Sequence, residues 1–460
     1  MNIVKDRQFY TNILAITIPL ALQNLMSFAT NMVDTFMIGR ADSTGTMISA
    51  INLAIQPFFI LMMFIFGVSS AGNVLASQYW GKKNIDAIKT IFSMVLKIAV
   101  AVTIIFMSVV LFFPKNVMSL FTNEDATILI GSEYLQISGF SYILFAVSST
   151  FIVSLRCVEI VRFSVITQIS TFLISASLNY LLIFGNFGFP RLEHRGAAIS
   201  TLTARTVEII LVLGFIFLID KRIRFRPKDL LLWSRQLLND LFRYGTPVVI
   251  NEVMWGVGMA VQAAILGHIE YSAGNPIAAN TVSSIVMQFS TIFMFGIANA
   301  ALVLIGKSVG EGDIEGVKLK ANTFKWIAFF AGVLAMAVIL ILRNYVTYIY
   351  DFGEATNALA KQLLLVTACC IIFVSFSATY IVGILRGAGD TKFCLIAEAA
   401  ALWGFSLPLA ALFSIVFKLP VPFVLLGMRS DEIVKAITCM IRVRGKRWIK
   451  SVARDDVDMI

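Results

Sequence analysis

Three carboxylates stand inside long apolar stretches of this sequence: Asp34, Glu252 and Glu398. A charged side chain at such a place costs about 2.5 to 3.5 kcal/mol on membrane-insertion scales, so it normally faces a cavity or a partner. We therefore predict that these acids serve ion chemistry within a membrane. Simpler alternatives are that Asp34 caps a helix end, and that Glu398 pairs with an arginine only to hold helices together. Glu252 is the hardest to explain by structure alone.

The sequence also repeats itself in two halves, at an offset of about 228 to 230 residues. Three matches occur in the same order in both halves: residues 66–71 with 295–300, Pro19 with Pro247, and Leu155-Arg156 with Leu385-Arg386. Duplicated helical halves around a central site are the architecture of secondary transporters. The repeat therefore indicates transport across a membrane.

The repeat places an amide opposite each acid. Asp34 matches Gln262, Glu252 matches Asn24, and Glu398 matches Gln168. An amide keeps the hydrogen-bonding shape of a carboxyl group but cannot balance a cation. We predict that these positions line a cleft in both halves. Asp34 and Glu252 would bind the coupling cation, and four residues would face the substrate: Asn24, Gln168, Gln262 and Glu398.

Two matched prolines lie within the first apolar stretch of each half. Pro19 precedes Asp34 by fifteen residues, and Pro247 stands at the equivalent place. A proline removes a helix hydrogen bond and bends the helix. We predict that both prolines are bending points, and that the bend at Pro19 changes the direction of the segment that carries Asp34.

Composition predicts an all-α integral membrane protein. The chain is 58% apolar and 14% charged, and apolar stretches long enough to cross a bilayer recur along it. We predict twelve spans, of which the last, 419–441, is interrupted by charged residues. About 26 of the 37 basic residues fall at the two ends and in alternate loops, which predicts a cell-membrane protein with both termini in the cytoplasm. The net charge of +10 is thus explained without nucleic acid.

Six spans in each half predict two pseudo-symmetric six-helix bundles with a central cleft. The predicted parts are an amino-terminal bundle (1–219), a basic cytoplasmic linker (220–243), a carboxyl-terminal bundle (244–441) and a basic cytoplasmic tail (442–460). Apolar residues from Leu230 to Phe242 have helical spacing, which predicts a helix on the membrane surface within the linker. The alternative is a solvated linker without such a helix.

Signatures of enzymes are missing from the sequence. The segment Gly387-Ala388-Gly389-Asp390 lacks the lysine of a nucleotide-binding loop, and His194 and His268 are too far apart for a metal pair. The five cysteines lie in or beside apolar spans without metal-ligand spacing, so we interpret them as reduced. We predict no enzymatic activity and no cofactor other than a coupling ion.

Several motifs resemble those of the multidrug and toxic compound extrusion family. The resemblance covers nearly the whole chain. It rests on the following residues: Pro19, Gln23, Asp34 and Gly39-Arg40 in the first span; Gln78-Tyr79-Trp80-Gly81; Leu181-Leu182-Ile183-Phe184-Gly185; Gly196-Ala197-Ala198; Leu385-Arg386-Gly387-Ala388-Gly389-Asp390-Thr391-Lys392, which is the most specific; and Trp448-Ile449-Lys450.

This resemblance implies a V-shaped pair of bundles that export organic, often cationic, compounds in exchange for Na⁺ or H⁺. Asp34 would be the cation-coupling aspartate. Many members carry an Asn and an Asp where this chain has Ser175 and Asn179, so its site keeps oxygen ligands, with Thr201, but loses one charge. A Na⁺ site would comprise Asp34, Asn179 and Thr201. Because ligand charge tunes affinity for a hard cation, we expect weaker Na⁺ binding or a shift towards H⁺.

The main hypothesis is therefore a monomeric antiporter for small organic substrates, embedded in the lipid bilayer. A flippase for lipid-linked sugars is the alternative, but it predicts a cleft dense in basic residues, and few lie deep in the spans, chiefly Lys97 and Arg205. A passive channel would need charged rings or filter repeats, which the sequence lacks.

Overall fold

The computed structural model describes residues 3–42, 45–269, 272, 274–349, 353–445 and 447–454. All regular secondary structure in these ranges is helical. The α-helices, in chain order, are α1 (Arg7–Ala41), α2 (Thr46–Ala54), α3 (Gln56–Gly81), α4 (Ile85–Phe112), α5 (Pro114–Ser119), α6 (Asp125–Ser138), α7 (Ser141–Leu155), α8 (Arg162–Phe184), α9 (Glu193–Gly214), α10 (Arg235–Gly267), α11 (Pro276–Gly310), α12 (Ile314–Ile349), α13 (Glu354–Ala378), α14 (Thr391–Glu398), α15 (Leu407–Ala411) and α16 (Val421–Arg444).

Within the described ranges, eleven helical segments are long and apolar enough to cross a membrane. This confirms the prediction of an all-α protein with many spans. The predicted last span corresponds to α16, which is a continuous helix of 24 residues and is not one of the eleven. Its charged residues lower its hydropathy, but they do not interrupt it.

Wider helical turns occur near the end of the chain. Segments of π-helix follow α13 (Thr379–Leu385), α14 (Ala399–Ser406) and α15 (Leu412–Val416). Insertions of this kind locally widen a helix and are frequent at functional sites. By contrast, α1 and α10 continue through Pro19 and Pro247, and the bend at each proline stays a prediction.

The chain forms two compact units. Among the described residues, one, here called the amino-terminal unit, comprises Leu22–Asn73 and Ile85–Asn239; the other, the carboxyl-terminal unit, comprises residues 3–21, Val74–Asn84 and residues 240–454. Each unit has its own apolar core, which includes Leu61, Met118 and Leu135 in the first and Ile339, Leu363 and Val424 in the second. The domain boundaries predicted from the sequence stay a prediction.

The basic linker is attached to α4. Its residues Pro227–Leu231 form a short 3₁₀ turn, and α10 begins only at Arg235, so the surface helix expected from Leu230 to Phe242 is divided into these two pieces. Ser93 Oγ donates a hydrogen bond to the carbonyl of Leu230 at 2.8 Å, and Lys97 Nζ donates to that of Leu232 at 3.0 Å. The middle of the linker is therefore packed against α4 within the amino-terminal unit.

Two glycines that the repeat aligns bring α3 and α11 into close contact. A Cβ added at Gly81 would lie 2.1 Å from the carbonyl oxygen of Lys307, and one at Gly310 would lie 1.9 Å from that of Gln78. Small residues allow helix backbones to approach closely in membranes, where packing rather than water exclusion drives association. The repeated glycines thus have a packing role at the end of α3.

The residues after α16 form a strap over this same end of α3. The buried carboxylate of Asp390 accepts hydrogen bonds from Arg442 Nε at 2.8 Å and from Lys450 Nζ at 2.6 Å. Gln78 accepts a bond from the backbone N–H of Val452 at 2.7 Å, and Trp448 is completely buried. Residues 447–454 are here called the strap, and the motif from Leu385 to Lys392 holds the strap through Asp390.

Replacing Asp390 with asparagine should loosen the strap. Hydrogen bonds to charged groups are worth about 1.5 to 3 kcal/mol each, and both basic partners are partly exposed, so we expect a loss of about 2 kcal/mol. The measurement is the thermal unfolding midpoint in detergent. Glu354→Gln, at an exposed acid, is the matched control, and an equal shift in both variants would contradict a specific role for Asp390.

Candidate functional site

Asp34 on α1 faces α8 within the amino-terminal unit. Its Oδ1 accepts a hydrogen bond from Asn179 Nδ2 at 2.6 Å, and Ser175 Oγ lies at 3.5 Å, the outer limit for such a bond. Ser175 and Asn179 are four residues apart, so they share one face of α8. The structure thus brings together three of the predicted coupling residues.

This arrangement fits a bound cation. Asn179 is 2% exposed, and its Oδ1 has no hydrogen-bond partner. A buried carbonyl oxygen without a partner is costly, and a cation beside Asp34 would satisfy it. Carboxylate, hydroxyl and amide oxygens are suitable ligands for a hard cation. Asp34, Ser175 and Asn179 are therefore the residues that would hold the ion.

Thr201 lies on α9, and its hydroxyl donates a hydrogen bond to the carbonyl of Ala197 in its own helix at 3.0 Å. A direct contact of Thr201 with the ion stays a prediction.

Glu133 connects α6 to α9. Glu133 accepts two hydrogen bonds from Arg195, at 2.8 and 2.9 Å, and one contact from His194 at 2.7 Å. These hydrogen bonds lower the pKa of Glu133 to about 2. The stabilisation is therefore present above the ordinary pKa near 4.5 and is lost as the pH falls towards 2.

Arg205 and Glu208 form the pair that their spacing on α9 predicts. The Arg205 guanidinium donates to Glu208 Oε2 at 2.5 Å, and Ser148 Oγ donates to the other carboxylate oxygen at 2.9 Å. The guanidinium also lies over the ring of Phe145, 4.9 Å from its centroid. Both charges are thus compensated within the amino-terminal unit.

Glu252, the second predicted coupling residue, has a charged partner in the carboxyl-terminal unit. Arg386 Nη1 donates to Glu252 Oε1 at 2.7 Å, and Arg386 is 2% exposed. The first half contains a similar contact at a neighbouring position, because Arg156 donates to Gln23 Oε1 at 3.3 Å, whereas the repeat aligns Glu252 with Asn24. The repeat therefore preserves an arginine with an oxygen acceptor, and ion coupling by Glu252 stays a prediction.

Replacing Glu252 with glutamine should destabilise the protein because Arg386 loses its counter-charge. Breaking a buried pair costs about 3 to 5 kcal/mol, and Glu252 is partly exposed, so we expect about 2 kcal/mol. The thermal unfolding midpoint measures this effect. Gln23→Glu is the reciprocal control, because it gives Arg156 a charged acceptor. An unchanged midpoint in Glu252→Gln would show that Arg386 does not need the carboxylate.

Glu398 lies in a buried group of charges in the carboxyl-terminal unit. Lys435 Nζ on α16 is 3.2 Å from Glu398, 2.9 Å from Asp431 and 2.8 Å from Glu432. Glu432 also accepts a hydrogen bond from Ser377. Glu398 thus pairs with a lysine, whereas the structural alternative considered from the sequence was an ion pair between Glu398 and an arginine.

The predicted cleft amides have different surroundings. Gln262 is half-buried and donates to the carbonyl of Met428 at 3.2 Å, whereas Gln168 is half-buried and Asn24 is exposed. Asn24 and Gln168 lie in the amino-terminal unit, and Gln262 and Glu398 lie in the other. Their role in binding substrate stays a prediction.

The described ranges contain no group of three or more His, Cys, Asp or Glu side chains that could hold a metal ion. Asp34 is outside that kind of cluster, because its neighbours Ser175 and Asn179 are uncharged.

Comparisons with known proteins agree on one family. The sequence profile of the MatE family matches residues 19–181 and 247–412, one segment in each half and well over half of the chain together. The "probable multidrug resistance protein NorM" of Thermotoga maritima is 24% identical over 95% of this chain and 93% of its own length. The rabbit (Oryctolagus cuniculus) "multidrug and toxin extrusion protein 1" is 24% identical over 95% of this chain and 75% of its own.

Solved structures show the same fold. The crystal structure of the "eukaryotic MATE transporter AtDTX14" superposes with a TM-score of 0.83 at 16% identity, covering 97% of each chain. A transporter of the MOP superfamily from Pyrococcus furiosus gives 0.85 at 16% identity over 96% of this chain and 98% of that one. With the profile match, these likenesses confirm the resemblance inferred from the motifs. The chain belongs to the MatE family and is a multi-pass membrane transporter, not an enzyme.

Proposed function

We propose that this chain exports small amphipathic organic compounds, often cationic, in exchange for H⁺ or Na⁺. Asp34 binds the coupling ion, and ion binding shifts the protein between two arrangements that open to opposite sides of the membrane. The proposal places the protein in the cell membrane as a monomer, with both termini in the cytoplasm.

The observation that carries this proposal is the set of oxygens around Asp34. One carboxylate, a buried amide oxygen without a partner and a serine hydroxyl lie together inside a helical unit. Such a group binds a small cation weakly enough to release it in each cycle, because only one ligand is charged. The names of the relatives above, which refer to multidrug resistance and extrusion, support organic compounds as substrates.

Efflux from vesicles tests this function. The purified protein is reconstituted, and transport of an ethidium-type dye is followed while a Na⁺ gradient or an H⁺ gradient is imposed separately. We expect dye movement with one gradient and little with the other or with none. Absence of dye movement under both gradients, with movement of a lipid-linked sugar instead, would contradict the proposal and support the flippase alternative.

A further inference from the structure

The first part of the basic linker presents a row of exposed positive charges that the proposed mechanism does not use. The row follows directly after the membrane-spanning segment Glu193–Ile219. Five exposed side chains, here called the basic face, form it: Lys221, Arg222, Arg224, Arg226 and Lys228. Residues 221–228 contain no acid, so the basic face carries charge of one sign only.

The acids on either side of the basic face are bonded to the protein itself. Asp220 accepts hydrogen bonds from the backbone N–H groups of residues 222–224 at 3.0 to 3.1 Å. Asp229 is buried, accepts a hydrogen bond from the backbone N–H of Arg226 at 2.8 Å and lies 3.3 Å from Lys89 Nζ. Both carboxylates therefore shape the linker from within instead of pairing with its exposed side chains.

Buried apolar residues alternate with the exposed basic ones and fix the backbone of this segment. Ile223 and Phe225 are buried, and the ring of Phe225 packs edge-on against that of Phe151, with 5.7 Å between centroids. Arg224 between them has a φ of 53°, a left-handed conformation that is uncommon outside glycine. Such strain persists only where the surroundings hold it, and it is frequent at ligand-binding sites. The basic face is thus formed before any ligand binds.

Two side chains of the basic face are available to a ligand. Arg222 donates a hydrogen bond to the carbonyl of Val158, but neither Arg224 nor Lys228 has a side-chain hydrogen bond or ion pair with the part of the chain that the structure describes. Guanidinium and ammonium groups bind phosphate through charge-assisted hydrogen bonds. The chemistry of the basic face therefore suits a partner that carries phosphate.

Exposed apolar residues on both sides of the basic face indicate which phosphate this is. Leu218 and Ile219 precede it, and Leu231 and Trp233 follow it, all with exposed side chains. Lys97 Nζ lies over the Trp233 ring, 5.5 Å from its centroid. Tryptophan beside basic groups is typical of the level of lipid headgroups, whereas binding of a nucleic acid backbone requires no apolar flanks. We propose that the basic face docks on the headgroups of anionic phospholipids, with Leu231 and Trp233 among the upper parts of the acyl chains.

Lipid binding is measured by native mass spectrometry of the whole protein in a neutral detergent. The protein is titrated with anionic dioleoyl phosphatidylglycerol or with zwitterionic dioleoyl phosphatidylcholine. The double variant Arg224→Gln and Lys228→Gln removes the two unpaired charges. Each basic residue near an anionic lipid surface contributes about fivefold to binding, so we expect phosphatidylglycerol to bind this variant roughly 25-fold more weakly, with phosphatidylcholine binding unchanged. Unchanged binding of phosphatidylglycerol would overturn the proposal.

A matched variant separates the basic face from net charge. Lys115→Gln with Lys418→Gln removes the same charge at two exposed lysines outside the linker. Lys418 also has a left-handed backbone, with a φ of 47°, so it reproduces the conformation of Arg224. We expect this variant to bind phosphatidylglycerol as the unmodified protein does. An equal loss of affinity in both double variants would show that net charge alone attracts the lipid, and would overturn a specific docking surface.

The apolar part of the proposal is measured with Leu231→Ser, which should weaken phosphatidylglycerol binding roughly tenfold because a leucine side chain is no longer transferred from water. Leu120→Ser is the control, since Leu120 is equally exposed in the same unit, and it should leave the binding unchanged. Equal binding by the two serine variants would overturn the place of Leu231 among acyl chains.

Competing phosphate ligands complete the test. Inorganic phosphate in large excess should not displace phosphatidylglycerol, and displacement would overturn the lipid as the partner. A single-stranded oligonucleotide that bound more tightly than the lipid, through Arg224 and Lys228, would overturn it as well. All of these experiments measure binding without transport, so their results stand apart from the efflux test of the proposed function.

Discussion

Replacing Asp34 with asparagine is expected to reduce ion-driven efflux to the level of empty vesicles while the protein remains folded. The asparagine oxygen can still accept the hydrogen bond that Asn179 donates at 2.6 Å, so the local packing is kept. The variant loses the only charge among the ion's ligands. Without this charge, the ion no longer binds one arrangement more tightly than the other. A ligand with equal affinity for both arrangements does not shift the equilibrium between them.

The measurement is dye efflux under the gradient that drives the unmodified protein, with the amount of reconstituted protein matched. Asp125→Asn is the control, because Asp125 is an exposed acid in the same unit and should transport normally. Undiminished efflux by Asp34→Asn would remove this aspartate from the mechanism. Lower protein yield in that variant, together with lower thermal stability, would indicate a structural role instead.

The sequence predicted the elements of this fold better than their contacts. Apolar stretches, basic residues and the repeat were sufficient for the helices, because a continuous apolar stretch of about 20 residues crosses a bilayer as a helix. The contact between Asp34 and Asn179 followed from the family resemblance. The partner of Glu252 did not, since Arg386 lies 134 residues away and the repeat compares positions rather than contacts.

Two local predictions differed from the structure for related reasons. Arg429, Asp431, Glu432 and Lys435 suggested an interrupted last span, but α16 is continuous. Hydropathy counts each charge alone and does not include compensation by a neighbour one turn away or by Glu398 on another helix. In the linker, apolar spacing predicted one surface helix. In the structure, the backbone carbonyls of Leu230 and Leu232 instead accept hydrogen bonds from side chains of α4.

Replacing Lys435 with methionine is expected to be the most destabilising change in the carboxyl-terminal unit. Lys435 is 3% exposed, and its ammonium group is within 3.2 Å of three carboxylates, so its loss leaves their charges without compensation in a low-dielectric region. Removing one partner of a buried ion pair costs about 3 to 5 kcal/mol, and three acids depend on this lysine. We expect poor expression and a thermal unfolding midpoint well below that of the unmodified protein.

Second-site changes separate charge compensation from packing. Lys435→Arg keeps the charge and should retain most of the stability, whereas adding Glu398→Gln to Lys435→Met removes one uncompensated acid and should recover part of the loss. Contacting residues are expected to behave non-additively, and the sign of the coupling reports whether their interaction is favourable. If Glu398→Gln instead lowered stability further in the methionine background, Glu398 would depend on a group other than Lys435. That result would support the predicted role of Glu398 in the substrate cleft, because an acid that does not depend on Lys435 can attract a cationic compound.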